Sequence, residues 1–399
     1  MKHAILLALF FLVSCSDSNN NNNRSDAPEP DPPMPDFSAA DTWLEEFVAA
    51  EELYPGGSMI VVDKIQGVIH KSAFGDQDTE TVALLASVSK MPSVTLLMAL
   101  HEDDANVAFD IQAPISSYLP WVGAWDSDIT TEHLVSHRSG LPGLAYSFIQ
   151  RADWLPHVCQ ILPSGTLLAC GETIFTTPLP NLPSSPANTA ADYGGSQWHL
   201  SGAVAETVGG AAWNQLWDEY IGEPCGLELT RFGNNSTVAA EWDGSTDSLI
   251  GLENPQIEGG MAANLDDYAK LLSLHLNDGA CGDNQVLSPQ GVAFMKELRT
   301  APYGVSGSAP GWPGDQGDGK WPWGYAMGWW VFPAEDGRDA SLYFTTGIYG
   351  SISWIDVDRA YGGLVIFEDY ALTDFGVAGP SGVLTELIPI IEDALDAAR

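Results

Sequence analysis

Leu84-Leu85-Ala86-Ser87-Val88-Ser89-Lys90-Met91-Pro92-Ser93-Val94-Thr95-Leu96-Leu97 decides how this chain of 399 residues is read. Ser87 and Lys90 stand three apart at the head of an apolar run that reads as a buried helix. Positions three apart share one helical face, so hydroxyl and amine can meet. A hydroxyl beside an amine is a route to a serine nucleophile without histidine, provided the lysine is desolvated enough to lose its proton. Leu84, Leu85, Met91, Val94, Leu96 and Leu97 would supply that desolvation. Proline fits a helix only in its first turn. Pro92 therefore predicts a helix from about Ser89 to about Glu102, with Ser87 at a strained entry just ahead of it.

A chain that is 45% hydrophobic with 14 Trp can bury a full core, as one large or two intertwined domains. The net charge of -38, from 53 acidic against 15 basic residues, argues against nucleic acid as a partner, which needs a basic face. It equally disfavours electrostatic docking on anionic lipid. Such an acidic, lysine-poor surface suits solubility in salty surroundings.

At the amino terminus, Met1-Lys2-His3 is followed by an apolar run from Ala4 to Val13, too short for a permanent membrane span. Leu12-Val13-Ser14-Cys15 resembles a bacterial lipoprotein box. That implies export, cleavage before Cys15 and membrane attachment through lipid on Cys15. Ser16 in the following position implies the outer membrane or cell envelope. Residues 16–36 hold Asn19 to Asn23 and then Pro28, Pro30, Pro32, Pro33 and Pro35, a tether that cannot form a core. An exported protein can form disulfides. Cys159, Cys170, Cys225 and Cys281 allow three pairings. The expected one joins Cys159 to Cys170, because a local loop closes easily, and Cys225 to Cys281.

Along the folded chain, residues 41–53 read as an amphipathic helix, and Ser58–Val62 with Val68–Phe74 as a hairpin turning near Gln66-Gly67. Ile129 to Pro142 begins with a Thr cap and ends on a Gly stop. His133 and His137, four apart, invite a metal reading, but no third ligand is evident and both read as structural. No cofactor is expected. Residues 144–192 read as loop-rich. Tyr193-Gly194-Gly195 leads into a helix over Trp198–Val208, making Tyr193 a candidate phenolic acid/base. A helix from Asn264 to Asn277 follows. Ala326–Phe332, Leu342–Thr346, Ser351–Val357 and Gly363–Phe367 read as consecutive antiparallel strands, and Val383–Ala398 as a terminal helix. Strands at both ends with helices between predict an α/β (α+β) fold. Its antiparallel sheet would come from about 37–86 and 321–399, flanked by helices, with an inserted, mostly helical lobe over about 87–320.

Read together, these segments resemble the serine beta-lactamase and penicillin-binding-protein superfamily, specifically its class C-like, esterase-containing branch. Ala86-Ser87-Val88-Ser89-Lys90 is similar to the first motif of that superfamily. Leu134 to Pro142 is similar to its Leu-x-x-His-x-Ser-Gly-Leu-Pro segment. Tyr193-Gly194-Gly195 stands where it has Tyr-x-Asn. Gly324 to Trp330 leads into its third motif, and Thr345-Thr346-Gly347 falls where it has Lys-Thr-Gly or His-x-Gly. The resemblance implies Ser87 as acyl acceptor, with Lys90 and Tyr193 sharing base and acid roles. It further implies an oxyanion hole from the Ser87 and Ile348 N–H groups, and substrate contacts from Thr345, Thr346 and Gly347.

Two departures bear on substrate. Gly195 removes an amide, and Thr345 removes a cation that would engage a substrate carboxylate. The expectation is therefore a serine hydrolase acting on a small-molecule ester or amide, above all a carboxylesterase for neutral acyl groups. The alternatives are beta-lactamase or D,D-peptidase activity at the same site, and a catalytically degenerate cell-wall or partner-binding protein. Trp312, Trp321, Trp323, Trp329 and Trp330 are candidates to line an apolar acyl pocket or to fill a junction between lobes.

Overall fold

The computed structural model describes residues 34–50, 53–300, 304–307, 319–332 and 342–399. Cys15, the tether up to residue 33 and Trp312 lie outside them. Helix α1 (Ser38–Ala50) precedes a hairpin of β1 (Gly56–Asp63) and β2 (Gly67–Gly75). A 3-10 turn at Ala86–Ser89 runs into α2 (Lys90–Glu102). The middle of the chain supplies α3 (Thr131–Val135), α4 (Ala145–Ile149), α5 (Leu167–Thr176), α6 (Ser196–Gly209) and α7 (Leu265–Leu276). Strands return as β3 (Gly324–Tyr325), β4 (Trp330–Val331), β5 (Leu342–Thr346), β6 (Ile352–Asp356) and β7 (Tyr361–Phe367), before α8 (Ile388–Ala398).

These seven strands form one antiparallel sheet in the order β3-β4-β5-β6-β7-β1-β2. The two ends of the chain meet where β1 pairs with β7, Met59 facing Val365. The fold is the expected mixed one, an antiparallel sheet with helices on its faces. β1 and β7 are mostly apolar because both faces of the sheet are covered there. Met59, Val61, Val365 and Phe367 point into a core shared with Leu44 of α1 and with Ile388, Ile391 and Leu395 of α8. Ile60, Val62, Leu364 and Ile366 point the other way, into the larger core with α2 and α7. Period-two alternation thus sorts one strand's residues between two cores. Gly363 permits the close packing of β7 on β6, since a Cβ there would lie 2.5 Å from the Trp354 ring.

Helix α2 is buried from Lys90 through Leu100, which explains its lack of a polar face. Pro92 sits in its first turn as expected. Asn264 caps α7 by accepting from the Asp267 N–H at 3.0 Å. Three segments differ from expectation. After the Thr130 cap, α3 lasts only five residues, because the chain turns left-handed at His137 (φ 62) ahead of Gly140. Ala326–Phe332 is a turn and a short strand rather than one strand, bent at Gly328 (φ 78). Residues 144–192 contain α4, a helical turn at Arg151–Trp154 and α5, the last capped by Thr166. Pro163, Pro178, Pro180, Pro183 and Pro186 fall outside those helices, so their density masked them.

Both disulfides form in the expected pairing, Cys159–Cys170 and Cys225–Cys281. Their sequence separations are 11 and 56. Loop closure predicts that opening the longer one, by Cys225→Ser with Cys281→Ser, lowers unfolding free energy by about 4 kcal/mol. Opening the shorter one should lower it by about 3 kcal/mol. Chemical denaturation of the two double variants checks the order; a larger loss from the short loop would contradict it.

Candidate functional site

The Ala86–Ser89 turn is held from three sides. Ser89 Oγ donates to the Ala86 carbonyl at 2.6 Å and accepts from the Met261 N–H at 3.0 Å. The Leu85 N–H donates to the Met261 carbonyl at 2.9 Å. Ala86 has φ 46, a left-handed conformation that an alanine holds only under such constraint. The strained entry anticipated ahead of α2 is therefore present, one residue before Ser87.

Lys90 is only 2% exposed. Its Nζ donates to Ser87 Oγ at 2.8 Å and to the Glu258 carbonyl at 3.0 Å. It also lies 4.8 Å from the Tyr193 ring centroid and 5.5 Å from that of Trp198. The amine is enclosed by one hydroxyl, one carbonyl and two aromatic faces. Tyr193 sits immediately before α6 and stacks on Trp330 at 5.3 Å and near His137 at 4.4 Å. The structure therefore brings Ser87, Lys90 and Tyr193 together.

His133 and His137 go separate ways. His133 Nδ1 accepts the Thr130 N–H in a capping box on α3. His137 Nδ1 accepts from Gln197 Nε2 at 2.9 Å and from the Gly194 N–H at 3.3 Å. Burial first, and then the charge of Lys90, hold the His137 imidazole well below its ordinary value. It is a neutral wall behind Tyr193. Among the described residues no group of three or more His, Cys, Asp or Glu could hold a metal.

Residues following β5 close the site from the sheet side. Gly347 packs so near the turn that a Cβ would lie 2.4 Å from the Leu85 carbonyl. Thr346, Gly347 and Ile348 line a cleft of about 410 Å³ together with Ser87 and Tyr193. Thr345 departs from the reading that put it among the substrate contacts. Its side chain is buried, and its Oγ1 donates to the Ser87 carbonyl at 3.0 Å. Strand alternation turns it away from the cleft, so it braces the turn instead.

The opposite wall is Leu144, Ala145, Phe148 and Ile149 on and before α4, with Trp321, Trp330 and Phe375. The Phe148 and Phe375 rings meet edge to face at 6.1 Å. No described residue lining the cleft bears a charged side chain. Of the tryptophans singled out in the sequence, Trp321 and Trp330 reach the cleft. Trp323 and Trp329 fill core positions. The α4 wall was not legible, because nothing in a proline-rich stretch marks which side chains will face a distant serine.

Asp192 ties that wall down. Its Oδ2 accepts from the Gly143 N–H at 3.0 Å, and the Leu144 N–H donates to the Tyr193 carbonyl at 2.6 Å. Burial pushes the Asp192 carboxyl up from 3.8 to about 6, opposed by that hydrogen bond. The folded chain thus holds the proton more tightly than the unfolded chain. Unfolding free energy should fall as pH rises between those two values and stay lower above them, by about 2 kcal/mol after discount for partial exposure. Asp192→Asn should lose this part of the fall. Urea denaturation at stepped pH checks it; identical pH slopes in both proteins would refute it.

The sequence profile of the Beta-lactamase family matches residues 40–378. No curated protein matches the chain at a significant score. Among solved structures, the chain is similar to EstCE1, described as a hydrolase with promiscuous acyltransferase activity. That match has 21% identity and a TM-score of 0.63, covering 90% of this chain and 100% of that one. It is also similar to the D-amino acid amidase from Ochrobactrum anthropi SV3, with 16% identity, a TM-score of 0.64 and coverage of 90% and 99%. A third is the octameric penicillin-binding protein homologue from Pyrococcus abyssi, with 17% identity, a TM-score of 0.65 and coverage of 89% and 78%. At these identities the likeness is one of fold, and it agrees with the profile match. The chain belongs to the beta-lactamase family of serine hydrolases.

Proposed function

We propose that this protein is a carboxylesterase acting on small neutral esters with an apolar acyl group, through an acyl-enzyme on Ser87. The observation that carries this reading is a nucleophile-ready Ser87–Lys90 pair opening into a cleft whose described lining has no charged side chain. A carboxylate-bearing lactam or peptide would find no cation to pair with among the described lining residues.

In the proposed reaction, Ser87 Oγ bonds to the ester carbonyl carbon while its proton passes to Lys90. The Ser87 and Ile348 N–H groups face the oxygen on which charge develops. The tetrahedral intermediate expels an alcohol, which takes up that proton by way of Tyr193. Water then attacks the acyl-Ser87 ester, releasing the acid and restoring the Ser87 hydroxyl.

Short p-nitrophenyl esters and nitrocefin, offered side by side, test this. The expected outcome is ester turnover that falls at least about a hundredfold in Ser87→Ala, with nitrocefin slow or untouched. Rapid nitrocefin turnover would replace the esterase reading by a lactamase one. Absence of turnover and of covalent labelling would leave a binding protein.

Export and lipid attachment at Cys15 belong to the same proposal. The two disulfides of the fold suit an oxidising compartment. Intact mass of the membrane-extracted protein should show an acylated Cys15 at the new amino terminus. A soluble, unmodified chain would refute that part.

A further inference from the structure

An apolar rim finishes the outer end of the cleft beside Ser87. Tyr193, Trp330 and Thr346 are the buried side of its lining. The exposed side is Phe148, Ile149 and Phe375, which are 58%, 71% and 46% exposed, and all three are apolar. A large apolar side chain standing singly in water needs no explanation, but three gathered on one cleft mark a ligand-binding surface.

Two of the three meet there from distant parts of the chain. Phe148 stands on α4, which has no buried residue, so core packing does not account for its ring. Phe375 stands in the connection after β7, and the two rings meet edge to face at 6.1 Å. The Phe375 backbone has φ 54, a left-handed conformation that a bulky residue holds only where its surroundings impose it. Asp374 Oδ2 accepts from the Val377 N–H at 2.8 Å and from the Tyr54 hydroxyl at 3.1 Å. Asp369 accepts from the N–H groups of Thr373 and Asp374. A Cβ on the neighbouring Gly376 would lie 2.3 Å from the Gly347 carbonyl. The segment carrying Phe375 is thus pressed against the strand end that closes the site, while Gly143 and Leu144 tie α4 to Asp192 and Tyr193. Strain and restraint are spent on holding an exposed ring at the cleft.

We propose that Phe148 and Phe375 are specificity-determining residues. They form an aromatic collar for the outer part of an acyl chain whose carbonyl lies at Ser87, and the substrate class is esters of medium-length linear fatty acids. An acetyl group leaves most of a cleft of about 410 Å³ to water, whereas a longer chain displaces that water and covers both rings. This rests on the proposed esterase reading and names the acyl class within it.

The test is the ratio of kcat/KM for p-nitrophenyl octanoate to that for p-nitrophenyl acetate, both below the concentration at which they aggregate. In each reaction Ser87 Oγ bonds to the acyl carbon, the bond to p-nitrophenolate breaks, and the serine proton passes to Lys90. The unaltered protein should favour octanoate at least about fivefold, and Phe148→Ala and Phe375→Ala should each lower the ratio about threefold or more. Phe148→Leu, which keeps an apolar side chain on the rim, should restore most of it. A merely structural role would lower both rates together and leave the ratio where it was. If Phe375→Ala fails to fold, the two Phe148 variants decide. A smaller preference in the unaltered protein, or a ratio unmoved by Phe148→Ala, would overturn the inference and leave the esterase reading standing. So would a preference that follows the alcohol, with octyl acetate turned over faster than ethyl acetate and no gain from octanoate. No turnover of any ester would overturn the esterase reading, and the inference with it.

Discussion

The lysine amine held out of water beside Ser87 is the interaction on which the rest of the site depends. Lys90 is 2% exposed and touches one hydroxyl, one carbonyl and two aromatic faces. A buried amine tolerates this only when its neighbours are fixed, since an uncompensated charge in such surroundings costs several kcal/mol. Each surrounding element contributes a restraint. The sheet supplies Thr345 on the Ser87 carbonyl, α6 supplies Trp198, and the loop before β-paired Met261 supplies the Glu258 carbonyl. The strained backbone at Ala86 is the local consequence, because the turn must present Ser87 while Ser89 anchors it from within.

Surface and cleft differ in electrostatic character. The chain carries a net charge of -38, yet the cleft beside Ser87 is lined by Leu, Ile, Phe and Trp with no charged side chain among its described residues. A negative exterior repels anions approaching from solution, and the described lining of the cleft offers them no charged partner. Under the proposed esterase function, both features would disfavour anionic substrates, by independent physical means. The walls are also mechanically distinct. Ser87 stands on the turn that enters α2 and Gly347 and Ile348 directly after β5, whereas Phe148 and Ile149 stand on the short helix α4, secured near Asp192 and Tyr193.

Local signals were legible where a residue acts on its own neighbours. The Ser87–Lys90 spacing, the Asn264 cap, the strand alternation of β1 and β7 and the short Cys159–Cys170 loop all follow from interactions within a few residues. Thr345 stands at a family position that implies a substrate contact. The pleat of β5 instead turns its hydroxyl to the Ser87 carbonyl. Residues 144–192 hid their helices because prolines occur between them at a density that reads as loop. Glu258 gave no signal, being an acidic residue among 53 acidic residues, and only its burial sets it apart.

The amino-acid order by itself determined the kind of fold and the reactive pair, because apolar periodicity and i, i+3 geometry are set by the chain's own covalent spacing. Only the tertiary structure decided which side chains complete the site. Gly195 is crowded by Gln160 and Glu258 from segments far away in sequence, and the described lining of the cleft is uncharged because it is drawn from α4, Trp321, Trp330 and the residues after β5. Such contacts arise from the packing of distant elements, and no local pattern encodes which distant atoms will meet.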